Sequence, residues 1–110
     1  MPSYQIEVVN LKTAKDFGTR PGDIYIGRRF GKYSQSPFAN PFKIGVHGDR
    51  DAVIAKYRDY FVSTGLVNRL PDLLDQGTTI RLGCWCAPAP CHGDVLKEYL
   101  IRYLDKKSSE

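Results

Sequence analysis

Thr78-Thr79-Ile80-Arg81-Leu82 runs through Gly83 into Cys84-Trp85-Cys86-Ala87-Pro88-Ala89-Pro90-Cys91-His92-Gly93-Asp94, and then into Val95-Leu96, Tyr99-Leu100 and Tyr103-Leu104. The opening residues are rich in β-branched side chains, which favour the pleated backbone of a strand. The closing ones recur as apolar pairs along one helix face. Between them lies a turn holding all three cysteines of the chain, its only tryptophan and one of its two histidines. Strand, turn and helix in that order are the building unit of α/β proteins, and such turns commonly carry their chemistry.

Working outward, Pro71 suits the first turn of a short helix that passes through Leu73-Leu74 and stops at Gln76-Gly77. Asp49 is an N-cap for a helix reaching about Thr64, with Val53, Ile54, Tyr57 and Phe61 on one face and Gly65 as its stop. Residues 4–11 alternate and are β-branched, which predicts a first strand. Pro21-Gly22-Asp23 signals a turn, and Ile24-Tyr25-Ile26-Gly27 a short second strand. Residues 27–48 show no period, with four glycines, two prolines and the aromatics Phe30, Tyr33, Phe38 and Phe42; a loop that long in a small domain points to function. The order β-β-α-α-β-α predicts an α/β or α+β domain: one sheet of three or four strands with helices packed on it. With strands two and three parallel, a right-handed crossover places Gly27-Arg28-Arg29 and the cysteine turn at one edge of the sheet.

At 110 residues the chain is expected to be a single domain, residues 1–110, with a polar flexible tail from about 106 to 110. Hydrophobic content of 42% and charged content of 25% suit a soluble globular protein, and no apolar run approaches the roughly 20 residues that span a bilayer. No basic stretch followed by an apolar segment opens the sequence, so a cytoplasmic chain with no membrane association is expected. In that compartment an odd number of clustered cysteines reads as thiols or metal ligands. Between residues 20 and 50 six basic side chains face two acids. That imbalance is either a solvated loop or a surface for an anionic small molecule, nucleotide or nucleic acid. No Gly-rich phosphate loop of the Walker or dinucleotide type is present.

The cysteine turn admits three readings. In the first, Cys91 lies at a helix start, where free backbone N–H groups favour a thiolate below the ordinary cysteine range; His92 serves the substrate and Asp94 orients it or caps the helix. In the second, Cys84, Cys86, Cys91 and His92 are the four ligands of a structural zinc site, although their spacing departs from the usual one. In the third, Cys84 and Cys86 pack in the core as free cysteines do. Trp85 is expected buried against the sheet in every case, and His47 is expected at the surface. The long loop adds a second constellation. Arg28 and Arg29 follow a strand directly and can grip a phosphate, while Asn40 and Phe42 pair an amide with a stacking ring. Lys43 and Arg50 extend the same ligand-binding set.

Tyr25-Ile26-Gly27-Arg28, Asn40-Pro41-Phe42-Lys43-Ile44-Gly45, Asp49-Arg50-Asp51 through Tyr57 and the run from Cys84 to Leu96 together resemble a small family of phage and bacterial proteins, the domain of unknown function numbered 4326. The resemblance covers nearly the whole chain, implies one intact domain and points toward nucleotide or nucleic-acid metabolism. The turn also resembles a second α/β family with Cys-His-Arg at a helix start; Gly93 stands here in place of that arginine. The leading expectation is a small enzyme acting on a nucleotide, nucleoside or nucleic acid, with Cys91, His92 and Asp94 at the reactive end. The alternative is a non-enzymatic nucleotide- or nucleic-acid-binding module pinned by zinc.

Overall fold

In the computed structural model, which describes residues 4–86 and 89–108, every other element is arranged around one strand, β3, at Thr79–Cys84. It lies between β1 (Gln5–Asn10) and β2 (Asp23–Tyr25) in the order β1-β3-β2. Both neighbours run parallel to it, with Gln5 opposite Thr79 and Asp23 opposite Arg81. A central parallel strand is covered on both faces, and β3 is accordingly buried from Ile80 onward. The fold is the α/β domain expected, with the smaller of the two strand numbers.

Alternation along β3 divides its side chains between two environments. Ile80, Leu82 and Cys84 enter one core with Ile6 and Ile26, with Tyr57 and Phe61 of α1 (Arg50–Ser63), and with Val95, Leu96 and Leu100 of α3 (His92–Ser108). Opposite them Gly83 meets the connection between β1 and β2: a Cβ there would lie 2.6 Å from Phe17 Cζ and 3.0 Å from Leu11 Cδ2.

The helix ends follow local chemistry. Asp49 accepts the Ala52 N–H at 2.8 Å and caps α1, and Gly65 takes the left-handed conformation (φ 80°) that stops it. A 3-10 turn at Leu66–Arg69 leads into α2, Leu70–Leu74, with Pro71 in its first turn. The last helix runs two residues beyond its expected end, to Ser108, and residues 109–110 of the expected tail lie outside the described residues. Lys106 and Lys107 occupy its last turn, where positive charge suits the helix dipole, and Lys107 Nζ lies 5.9 Å from the centre of the Tyr103 ring. No helix among the described residues is long and apolar enough to cross a membrane.

Arg81 is the one charged side chain of β3, and it is nearly enclosed. It donates from Nε to Asp23 Oδ1 at 2.6 Å and from Nη2 to Asp23 Oδ2 at 2.7 Å, and from Nη1 to Asp16 Oδ1 at 3.0 Å. The Asp23 side chain is fully enclosed and also accepts the Gly18 and Arg20 N–H groups. The guanidinium carbon lies 5.8 Å from the Phe17 ring centre. A bidentate, charge-assisted pair of this kind fixes β2 against β3 in one register.

Asp23→Asn should therefore lower stability by about 3 kcal/mol, the low end for a broken buried pair, because it leaves the enclosed guanidinium with only the exposed Asp16 carboxylate as counter-charge. In the native chain the Arg81 hydrogen bonds hold the Asp23 carboxyl down at about 2, from 3.8. The folded state thus resists a proton that the unfolded state accepts, and this stabilisation, full above the unfolded value, fades as pH falls through that window. Urea midpoints of both proteins from about pH 6 to pH 2 check this: their difference should narrow below pH 4, and a constant difference contradicts the assignment.

Candidate functional site

The parallel arrangement brings the C-terminal ends of β2 and β3 together beside the start of α3, and residues 27–48 fold over them. Here lies a cavity of about 610 Å³. Arg28, Arg29, Lys43 and Arg50 line it, as do Tyr25, Phe30, Phe42 and Trp85, and as do the three cysteines with His92. Among the described residues no carboxylate lines it. The expected meeting of the arginine segment and the cysteine turn at one sheet edge is found, on the two parallel strands that reasoning required.

One wall is aromatic. Trp85 donates its indole N–H to Tyr25 Oη at 3.1 Å, and that hydroxyl donates in turn to the Arg28 carbonyl. Tyr25 stacks on Tyr33 at 4.5 Å between centroids, and Phe30 tilts against Trp85 at 4.9 Å. Trp85 is only half-buried and Phe30 is 62% exposed. The expectation that Trp85 packs into the sheet is corrected: the chain leaves β3 at Cys84, and the indole finds its partner among the tyrosines of the cavity rim.

The predicted ligand-binding residues divide by what else they hold. Arg28 gives Nε to the Asn40 carbonyl and Nη2 to the Phe42 carbonyl, both at 3.1 Å, so two donors of its fork clasp the loop. Asn40 is buried; its Oδ1 accepts the Phe42 N–H at 2.9 Å and its Nδ2 donates to the Val53 carbonyl at 3.4 Å. Its amide therefore pins the loop to α1, and the residue also lines the cavity. Arg50 reaches across to the Pro90 carbonyl at 2.9 Å and braces the cysteine turn. Arg29 and Lys43 are exposed, and among the described residues no carboxylate pairs with Arg28, Arg29, Lys43 or Arg50. His47 is exposed, as expected, and its Nδ1 accepts the Lys43 N–H at 2.8 Å.

The turn itself departs from a catalytic relay. Asp94 Oδ2 accepts the Cys91 backbone N–H at 3.0 Å, which makes it a helix cap. Cys91 is buried, with its Sγ 3.6 Å from Cys84 Sγ. The hydrogen bond with Cys84, and then burial, push the Cys91 thiol far above the ordinary range. This corrects the expected low-pKa thiolate. His92 donates Nε2–H to the Ile26 carbonyl at 2.7 Å, which assigns the tautomer and leaves Nδ1 as the lone-pair nitrogen. Burial holds its pKa below 6.5, and the neighbouring Arg28 charge acts in the same direction, so the ring is neutral at neutral pH. Among the described residues no three Cys, His, Asp or Glu side chains converge as a metal site. Cys84, Cys86, Cys91 and His92, the four ligands of the zinc reading, are therefore not brought together as a metal site. Ala87 and Pro88, within the turn, lie outside the described residues.

Gly93 has a packing reason. A Cβ there would sit 2.9 Å from both Ile26 Cδ1 and Val8 Cγ1, so the first turn of α3 rests directly on β1 and the end of β2. An arginine, as in the second family, would have to displace the Ile26 or Val8 side chain here. Sequence reasoning missed the Arg28 clasp, the Tyr25–Trp85 bond and the Cys84–Cys91 contact. Each depends on the order of strands, and no local pattern announces it.

A parallel α/β domain with a cationic, aromatic cavity at its strand ends is thus the class that fold and site define. Residues 9–102 match the family described as a domain of unknown function (DUF4326), and the chain belongs to that family. It is 33% identical over 111 residues to the uncharacterized protein R718 of Acanthamoeba polyphaga mimivirus, an alignment covering 90% of this chain and 82% of that protein. No solved structure matches the chain.

Two outcomes are expected of the turn. Cys86, half-buried where the other two thiols are buried, should be the first cysteine alkylated at neutral pH, with Cys91 among the slow ones; peptide mass mapping over time checks the order. Gly93→Ala should lower stability by about 1–3 kcal/mol through overpacking against β1 and β2, measured as a fall in urea midpoint.

Proposed function

We propose that the cavity binds a nucleotide or a short single-stranded nucleic acid, with phosphate toward Arg29, Lys43 and Arg50 and the base against Trp85 and Phe30. The observation that carries this reading is a cavity lined, among the described residues, by four cationic side chains and four aromatic rings with no carboxylate. Positive charge without counter-charge recognises a phosphate, and exposed rings beside it recognise a flat heterocycle. Of the turn residues, His92 is the one suited to meet the ligand chemically, because its neutral ring keeps a lone pair at Nδ1; Cys91 and Asp94 hold the turn.

Trp85 is the only tryptophan, so its fluorescence reports this cavity directly. Nucleoside mono- and triphosphates and short oligonucleotides should quench it, with an affinity that falls as salt rises. Lys43→Ala or Arg50→Ala should weaken binding about ten- to a hundredfold, the worth of a charge-assisted contact, whereas Lys107→Ala should leave it unchanged. Equal effects from all three substitutions, or no quenching by any nucleotide, would sink the proposal.

A further inference from the structure

We propose that Cys84 and Cys91 form a reversible disulfide on exposure to a small aliphatic disulfide of the glutathione type, and that this bond alters ligand binding in the cavity both residues line. The second half of this inference rests on the nucleotide reading; the first does not. The two sulfurs are 3.6 Å apart, against about 2.05 Å in the bond, so closure asks for little more than a rotamer adjustment. Their approach is not an accident of a loose turn. Cys84 is fixed at the end of β3 by its register opposite Asn10. Cys91 is fixed by the Asp94 cap on its N–H and by Gly93, where a Cβ would lie 2.9 Å from both Ile26 Cδ1 and Val8 Cγ1. Cys86, the third thiol, stands apart as the half-buried one.

The chemistry balances with that one co-reactant. Either sulfur of the contact can be the donor; with Cys91 as donor, Cys84 loses its proton to solvent, attacks one sulfur of the small disulfide through the cavity and expels the other half as a thiolate. Cys91 then gives its proton to that thiolate and attacks the Cys84 sulfur. The mixed disulfide breaks, the Cys84–Cys91 bond forms, and the second half leaves and is protonated by solvent with the proton first lost from Cys84. Two protein thiols are oxidised and one small disulfide is reduced to two thiols. Because Cys84, Trp85 and Cys91 all line the cavity and Cys84 adjoins Trp85 in the chain, the bond changes the wall that the ligand would meet.

The test uses the whole native chain. After incubation with glutathione disulfide, free thiols are alkylated without reduction and the protein is digested with trypsin. The peptide of residues 82–97 contains all three cysteines, so a single mass reads the result. One alkyl group, placed on Cys86 by fragmentation, and the loss of two hydrogens are expected; Cys86→Ser should give the same disulfide with no alkyl group. Three alkyl groups, a persistent glutathione adduct on the native chain, or alkylation of Cys84 or Cys91 would overturn the pair. Trp85 titration with a nucleoside triphosphate then compares the two forms, with about a tenfold loss of affinity expected on oxidation. Equal affinities overturn the coupling while the peptide mass still decides the disulfide. A reduced chain that binds no nucleotide fails the functional reading and the coupling together, again leaving the mass to decide the bond.

Discussion

Arg81 lies in the middle of β3 with its guanidinium fork closed on Asp23 and its remaining nitrogen on Asp16, and the placement of β2 depends on that contact. β2 pairs with β3 over only three residues, too few to hold a strand by backbone hydrogen bonds alone. The ion pair ties its first residue, Asp23, to the centre of the sheet. From there the chain has one course: Tyr25 opposite Gly83, Ile26 into the core, and Arg28 out toward the turn after β3. A salt bridge buried in the fold is weak evidence of stability, but it specifies register strongly.

The same contact shapes the electrostatics of the site. Between residues 20 and 50 the chain holds two acids, and neither is left to neutralise the loop. Asp23 is enclosed by Arg81, and Asp49 caps α1. Arg20 has its partner in Asp16, so the charge left over belongs to Arg28, Arg29, Lys32, Lys43 and Arg50. A mild net charge of +4 for the whole chain thus becomes a concentrated positive wall at one end of the sheet.

Much of the fold was legible because it rests on local rules. Asp49 as cap, Gly65 as stop, Pro71 in a first turn and the apolar pairs from Val95 onward each act within a few residues of themselves. The strand after Thr78 was legible too, though it runs on through Cys84 rather than ending at Leu82. What escaped is what a strand order decides. β3 inserts between β1 and β2, and only then do Cys84 and Cys91, Tyr25 and Trp85, or Arg81 and Asp23 become neighbours. Residue type misled at Trp85, where bulk suggested the core but the indole N–H needed a partner found only at the rim. It misled again at Cys91, where a helix start argues for a thiolate and burial beside a second thiol argues more strongly against it.

Five of the bonds around the cavity share one trait. Arg28 holds the carbonyls of Asn40 and Phe42, Arg50 that of Pro90, His92 that of Ile26 and Tyr57 that of Phe38. In each case the acceptor is main chain, which every amino acid supplies. The identity of the side chain at Phe42 or Pro90 is irrelevant to the clasp that holds it. Such an architecture separates the frame from its lining, so that drift or selection can rewrite what the cavity recognises while the loop stays closed. Divergence within this family is therefore expected to fall on the rim and to spare the few residues that reach for a backbone.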